Sequence, residues 1–363
     1  MVRKILLNPG PVTTTQSVKD SLVVEDICPR EKEFGNIISG ISDKLTQISN
    51  CSSTHYGVLF TSSGTGALES VLTSIIPKGK KILIINNGTY GKRLIEICLA
   101  FNIKFSTYDL EYNELPDLNI LENEFLRMDD FYAIAMVHHE TSTGLLNNIN
   151  MICNLAKRDN LITIVDAMSS FGIVPIDINY GNIDFLVSTT NKGIQGIPGI
   201  SFVISNISIL ETVKDYFDRT YYHSLYKQYK SLLENKQFRF TPAVQVLYAM
   251  NKALDELIED TIQIRWNLCR QKWRILYYGL KKLNFEFLLP DKIQSQILIA
   301  VKLPSYMDFS DLHDYMYKRH ITIYPGKSDI CDNIFRLSVF GDIVPADILY
   351  FLNELKEYIN EQN

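Results

Sequence analysis

The 363-residue sequence has no apolar run long enough to cross a bilayer; its continuous apolar stretches, such as ILII at 82–85 and ILIAV at 297–301, are strand-sized. It has no CxxC pair. The six cysteines, Cys28, Cys51, Cys98, Cys153, Cys269 and Cys331, are scattered, which argues against a disulfide framework or structural zinc and for reduced thiols. There is no excess of positive charge: 36 Lys and Arg stand against 41 Asp and Glu, and the net charge of -5 gives no uniform field for nucleic acid or an acidic membrane surface. A small-molecule partner is favoured instead. The opening MVRKILLNPGPVTTT offers only three consecutive apolar residues before Asn8 and Pro9, too few for a signal-peptide core, so a cytoplasmic location is expected. Neither GxGxxG nor a P-loop GK[ST] is present, and no internal repeat or low-complexity segment stands out.

What is present is a sequence with 46% hydrophobic residues, enough to bury a large core and to form two domains. GVLF at 57–60 leads into SSGTG and then ALESVLTSII, where Leu68, Val71, Leu72, Ile75 and Ile76 share a helical face. The pattern continues through KILII (81–85), FYAIAMV (131–137), LITIV (161–165) and DFLVS (184–188), apolar runs of the kind found in strands covered on both faces. With helical segments such as GKRLIEICLAF between them, they predict an α/β fold built on a mostly parallel sheet. GISFVIS at 199–205 adds a strand, and regularity weakens in the Tyr-rich stretch that runs up to Phe240. Thr241 and Pro242 then read as the N-cap and first-turn proline of a long helix. SQILIAVKL, DFSDLHDYMYKRH, NIFRLSV and PADILYFLNELKEYIN predict a smaller α+β domain. The expected organisation is a large domain over 16–255, a small C-terminal domain over 256–363, and an N-terminal segment, 1–15, near the active site.

Three features fall at the carboxyl ends of predicted strands, where open parallel sheets gather ligands. SSGTG at 62–66 joins a strand to a helix, so Ser63, Gly64 and Thr65 present small side chains and helix-start amides to an anion; an ordinary glycine turn fits the same residues. Asp166 follows LITIV, and a buried acid there needs a partner. A protonated pyridine nitrogen, a helix N-cap role and a magnesium ligand each satisfy it. Lys192 lies 26 residues later, within STTNKGIQGIPG, just past the next strand. An anion cradle, a buried acid and a post-strand lysine are together what pyridoxal phosphate requires. HHE at 138–140 is set aside as a metal site, because adjacent strand side chains point to opposite faces.

The order LLNPGP, DICPREKEFG, LFTSSGTGALE, INNGTYGKR, HHETSTGLLN, VDAMSSFGIVPIDI and STTNKGIQGIPGISFVI resembles the fold-type I, class V pyridoxal-phosphate aminotransferases over about residues 5–345. DICPREKEFG is similar to the aminoethylphosphonate branch of that family. The resemblance implies transamination of 2-aminoethylphosphonate with pyruvate to phosphonoacetaldehyde and L-alanine, and a homodimer. It further implies that Lys192 is the Schiff-base lysine and Asp166 the partner of the pyridinium nitrogen. Ser63, Gly64 and Thr65 would hold the phosphate, Tyr90 would lie over the ring and Thr143 would touch its polar edge. Thr241 would reach the phosphate of a neighbouring subunit, and Arg336 would hold the substrate's acidic group, with Arg30 the next candidate. Gly193 and the loop PGKSDICDN depart from common family variants.

Two competitors share the machinery. One is another class V transaminase, of the alanine, serine or glyoxylate kind, against which DICPREKEFG argues. The other is a cysteine desulfurase with Cys331 as persulfide carrier; those enzymes typically have a histidine before the lysine, where this sequence has Asn191.

Overall fold

A computed structural model describes residues 3–126, 130–216, 218–326 and 333–362; Cys331 and the rest of 327–332 lie outside the described residues. Seven strands form the main sheet, in the order His55–Phe60, Ser201–Asn206, Phe185–Thr189, Ile162–Asp166, Ala133–Val137, Lys81–Asn86, Lys104–Asp109. Only Ser201–Asn206 runs against the others. The register pairs Val137 with Asp166 and Asp166 with Val187, so the strand ends that bear the candidate residues lie side by side.

The central strands Ala133–Val137, Ile162–Asp166 and Phe185–Thr189 are buried throughout, which is why they read as unbroken apolar runs. Among the elements that the sequence pattern does not predict are a strand and a helix. The edge strand Lys104–Asp109 is half exposed and lacks such a run. The Tyr-rich stretch expected to be irregular contains the helix Leu225–Asn235, which buries Leu225, Tyr229 and Leu232 on one face, exposes Lys227 and leaves Lys230 half-buried. A correction also applies at Thr241: the long helix runs Val244–Asp260 with Ala243 at its N-cap, so Thr241 is exposed and caps nothing.

The buried apolar residues form two cores. The first spans Val18 to Leu257 and encloses the main sheet. The second joins helices Ile262–Lys282 and Pro345–Gln362 to the small antiparallel sheet of Leu298–Lys302, Ile334–Ser338 and Tyr324–Pro325. We propose a two-domain division on these cores; the expected boundary at 255/256 falls in the last turns of helix Val244–Asp260. The N-terminal segment packs with the second core through Ile5, Leu7 and Val12, and its strand Ile5–Leu6 runs parallel to Ile321–Thr322.

Candidate active site

Where the parallel strands end, a cavity of about 330 Å³ opens, the size of a small-ligand site. Ser63, Gly64 and Thr65 form one wall. Ser63 stands at the N-cap of helix Gly64–Ile75 in extended conformation and spends no side-chain bond on capping, which suits the helix start to an anion.

Tyr90 and Arg93 line another wall from the first two turns of helix Thr89–Ala100, with the Arg93 guanidinium carbon 4.7 Å from the Tyr90 ring centroid. That helix begins at Gly88, which has no side chain to cap it. Glu140 substitutes: its carboxylate accepts from the amides of Gly91 at 2.7 Å and Tyr90 at 3.2 Å, and from the Ser142 hydroxyl at 3.0 Å. Burial nevertheless pushes Glu140 up to about 7.

Asp166 is buried at the cavity floor and accepts from the Met168 amide at 2.9 Å. Desolvation raises its pKa to about 6, although that bond and the charges of Arg93 and Lys192 pull the other way. Lys192 stands in the turn after Phe185–Thr189, and its Nζ donates to the Pro9 carbonyl at 2.6 Å. Desolvation first, then the Arg336 and Arg93 charges, lower its pKa to about 8, with Asp166 opposing. Gly10 is required by this contact, since a Cβ there would fall on the lysine side chain and φ is +119°. Arg265 braces the lysine turn by donating to the carbonyls of Gly193 and Ile194, each at 3.4 Å. A side chain at Gly193 would meet the Phe171 carbonyl, which gives a local reason for glycine there.

The cavity therefore gathers Ser63, Gly64, Thr65, Tyr90, Asp166 and Lys192. Thr143 is not on its wall. It is buried in the turn after His139–Glu140, where its hydroxyl donates to the Glu140 carbonyl and accepts from the Leu145 amide; Thr141 lines the cavity instead. Thr241 is exposed and not part of this wall. Arg336 is buried just behind it, donating to the Thr141 carbonyl at 3.0 Å and the Pro325 carbonyl at 2.8 Å. Arg30 braces another loop, donating to Gln237 Oε1 and the Phe238 carbonyl. Arg93 and His139 line the cavity without having been singled out for it; the i, i+3 spacing of Arg93 from Tyr90 was the available signal. His138 and His139 bond different serines, Ser170 and Ser169, each at 2.9 Å, and no cluster suited to a metal ion occurs among the described residues.

These residues fit pyridoxal phosphate: a helix start for the phosphate, a buried acid whose charge lacks sufficient compensation for a ring N–H⁺, and an amine depressed toward neutrality.

Residues 18–336 match the family model described as aminotransferase class-V. The chain is 36% identical over 364 residues to a 2-aminoethylphosphonate–pyruvate transaminase of Lysinibacillus sphaericus, covering 99% of this chain and 98% of that protein. It is also 36% identical over 361 residues to a bifunctional phosphonoacetaldehyde hydrolase/aminoethylphosphonate transaminase of Clostridioides difficile; 98% of the chain is covered, but the chain spans only 56% of that longer protein. Among solved structures, a ureidoglycine–glyoxylate aminotransferase of Bacillus subtilis superposes with a TM-score of 0.93 at 19% identity, over 100% of this chain and 94% of the other. At that identity the likeness speaks for the fold.

Proposed function

The chain belongs to the class-V aminotransferases, enzymes that depend on pyridoxal phosphate, and from that premise we propose that its cavity transfers the amino group of 2-aminoethylphosphonate to pyruvate, giving phosphonoacetaldehyde and L-alanine. The observation that carries this reading is the convergence of helix-start cradle, raised-pKa acid and lowered-pKa lysine on one cavity. The full-length likeness to aminoethylphosphonate transaminases supports the choice of donor.

Bound pyridoxal phosphate supplies a carbonyl for the amine and a sink for the electrons of a breaking C–H bond. Ser63, Gly64 and Thr65 would hold its phosphate, Asp166 its ring nitrogen, and Lys192 would carry it covalently. Tyr90, steadied by Arg93 and by the Glu140-capped helix start, would cover the ring face. With the cofactor bound, Lys192 Nζ would take the proton from the amine-bearing carbon of the donor and, in the second half-reaction, would return one to the corresponding carbon of alanine. A pKa lowered to about 8 makes such a base available near neutral pH. Arg336 would bind the phosphonate of the donor and the carboxylate of pyruvate, since each presents two oxygens to the planar fork of a guanidinium. Its charge is the first electrostatic cause of the Lys192 shift, which supports placing the substrate's anion on the lysine side of the cavity. We further propose a homodimer in which Thr241 serves the phosphate site of a second copy.

The test is a donor panel with pyruvate as acceptor, run as steady-state and single-turnover kinetics on the cofactor-loaded protein. Expected are phosphonoacetaldehyde and L-alanine in equal amounts, parallel double-reciprocal lines, and a loss of about tenfold to hundredfold in each half-reaction for Arg336→Ala, partly restored in Arg336→Lys. Turnover of alanine or serine with glyoxylate, without turnover of 2-aminoethylphosphonate, would replace this reading with another class V transamination.

A further inference from the structure

The end of the Lys192 side chain lies against the N-terminal segment. A Cβ added at Gly10 would fall 2.4 Å from its Cδ and 2.6 Å from both Cε and Nζ. The bond from Nζ to the Pro9 carbonyl, at 2.6 Å, is the only hydrogen bond that the amine makes among the described residues. That carbonyl is held in place independently of the lysine. The Asn8 side-chain amide donates to the Pro11 carbonyl at 2.9 Å, while Ser338 of the small sheet donates from its hydroxyl to the Asn8 carbonyl at 2.6 Å and from its amide to the Leu7 carbonyl at 2.7 Å. Leu7, Asn8 and Ser338 are all buried. The lysine therefore meets a preorganised acceptor.

The charges around Nζ indicate what such an acceptor is for. Burial does most to disfavour a positive amine; Arg336 and Arg93 add to that, and Asp166, which favours one, is the acid assigned to the ring nitrogen. His139, close enough to feel the Lys192 charge, is neutral, pushed down to about 3 by burial and then by the charges of His138 and Lys192. A lysine that acts as a base is an ammonium for as long as it keeps the proton it has taken. Its one hydrogen-bond acceptor among the described residues is then the Pro9 carbonyl. A bond to a fixed carbonyl is stronger for the ammonium than for the amine, so it favours the proton on Nζ. We propose that the Pro9 main-chain carbonyl stabilises the ammonium that Lys192 becomes when it takes the donor's proton, and so sets the strength of this base. In that step the donor's C–H bond breaks, its electron pair goes to the bound cofactor, and the proton joins Nζ, one of whose N–H bonds is directed at the Pro9 oxygen. The proposal rests on the reading of Lys192 as the base.

A backbone ester tests it. Cys28 permits a native junction, so a synthetic segment 1–27 with the Pro9–Gly10 amide replaced by an ester can be ligated to residues 28–363. The ester changes no side chain and weakens the acceptor, and the Gly10 amide that it removes donates to nothing among the described residues. On the cofactor-free protein, the pH midpoint for acylation of Lys192 by a small anhydride is followed by peptide mapping. The ester should lower it by about half a unit to one unit relative to the ligated all-amide parent, a loss of about three- to tenfold in ammonium stabilisation. An unchanged or higher midpoint overturns the proposal. In single turnover of the cofactor-loaded proteins with 2-aminoethylphosphonate, plain or deuterated at the amine-bearing carbon, the ester protein should be about three- to tenfold slower with an isotope effect at least as large as the parent's. A slower rate with a smaller isotope effect places the loss in another step and also overturns it. If the ester protein does not fold, ¹³C spectra of proline-labelled parent decide: the Pro9 carbonyl signal should move through the same pH midpoint as Lys192, and a signal that stays put overturns the proposal. A parent whose Lys192 is acylated equally with and without pyridoxal phosphate fails the cofactor reading instead, which is a different failure.

Discussion

Asp166 illustrates how a residue suited to a ligand burdens the empty protein. Its folded pKa of about 6 lies above that of an exposed aspartate, so the native state binds more protons than the unfolded state between about pH 4 and pH 6. Stability of the apo-protein therefore falls as pH rises through that window, and the full cost of the buried charge is present above it. Asp166→Asn, which keeps the shape and loses the charge, should stabilise the apo-protein at pH 8 by on the order of 2 kcal/mol, with Arg93 and Lys192 already offsetting part of the cost. The advantage should vanish below about pH 4. Urea midpoints of both proteins at the two pH values check this, and an Asn variant no more stable than the parent at pH 8 contradicts it. At this scale Lys192 and Asp166 were legible because each directly follows an apolar strand. Thr141 was not distinguishable from Thr143 in ETSTG, since only the turn decides which hydroxyl faces the cavity. His139 was weighed only for metal binding; its pairing with Ser169, 30 residues away, is set by neighbouring strand ends.

The segment from Tyr221 to Thr241 carries the dimer proposal. Tyr221 is 79% exposed and Tyr222 39%; both rings pack on Phe240, and Arg239 lies over Tyr221 and Phe240. An aromatic group left this open beside the exposed Thr241 suits burial against a second copy. The segment is fixed to the cradle side of its own chain, since the Tyr222 hydroxyl donates to the Thr61 carbonyl and the Ala243 amide to the Thr61 hydroxyl. Light scattering should give twice the chain mass, and Tyr222→Glu combined with Phe240→Glu should yield a folded monomer that retains cofactor poorly. A fully cofactor-saturated monomeric parent contradicts the proposal. Elements were legible where burial is complete on both faces. The edge strand Lys104–Asp109 and the helix Leu225–Asn235 were not, because half-exposed elements mix polar residues into the pattern and because tyrosines and lysines conceal an amphipathic face.

Across the whole molecule, the site is closed by parts distant in sequence. The N-terminal segment packs with the C-terminal core, and its Pro9 carbonyl holds the Lys192 amine; Arg265, on the second core's first helix, braces the turn that carries that lysine; Arg336 reaches the Thr141 carbonyl from the small sheet. The parallel α/β architecture could be read from periodicity, but this closure could not: the pairing of Ile5 with Ile321 has no local signature. The arrangement places one depressed-pKa lysine at the cavity with the cradle and the acid, and that is the centre of the account. The measurement that tests it most directly is borohydride reduction of the pyridoxal-phosphate-loaded protein followed by peptide mapping. The account predicts a stable pyridoxyl label on Lys192, and none in Lys192→Ala. A label on any other lysine, or a parent protein that takes up no cofactor, would contradict it.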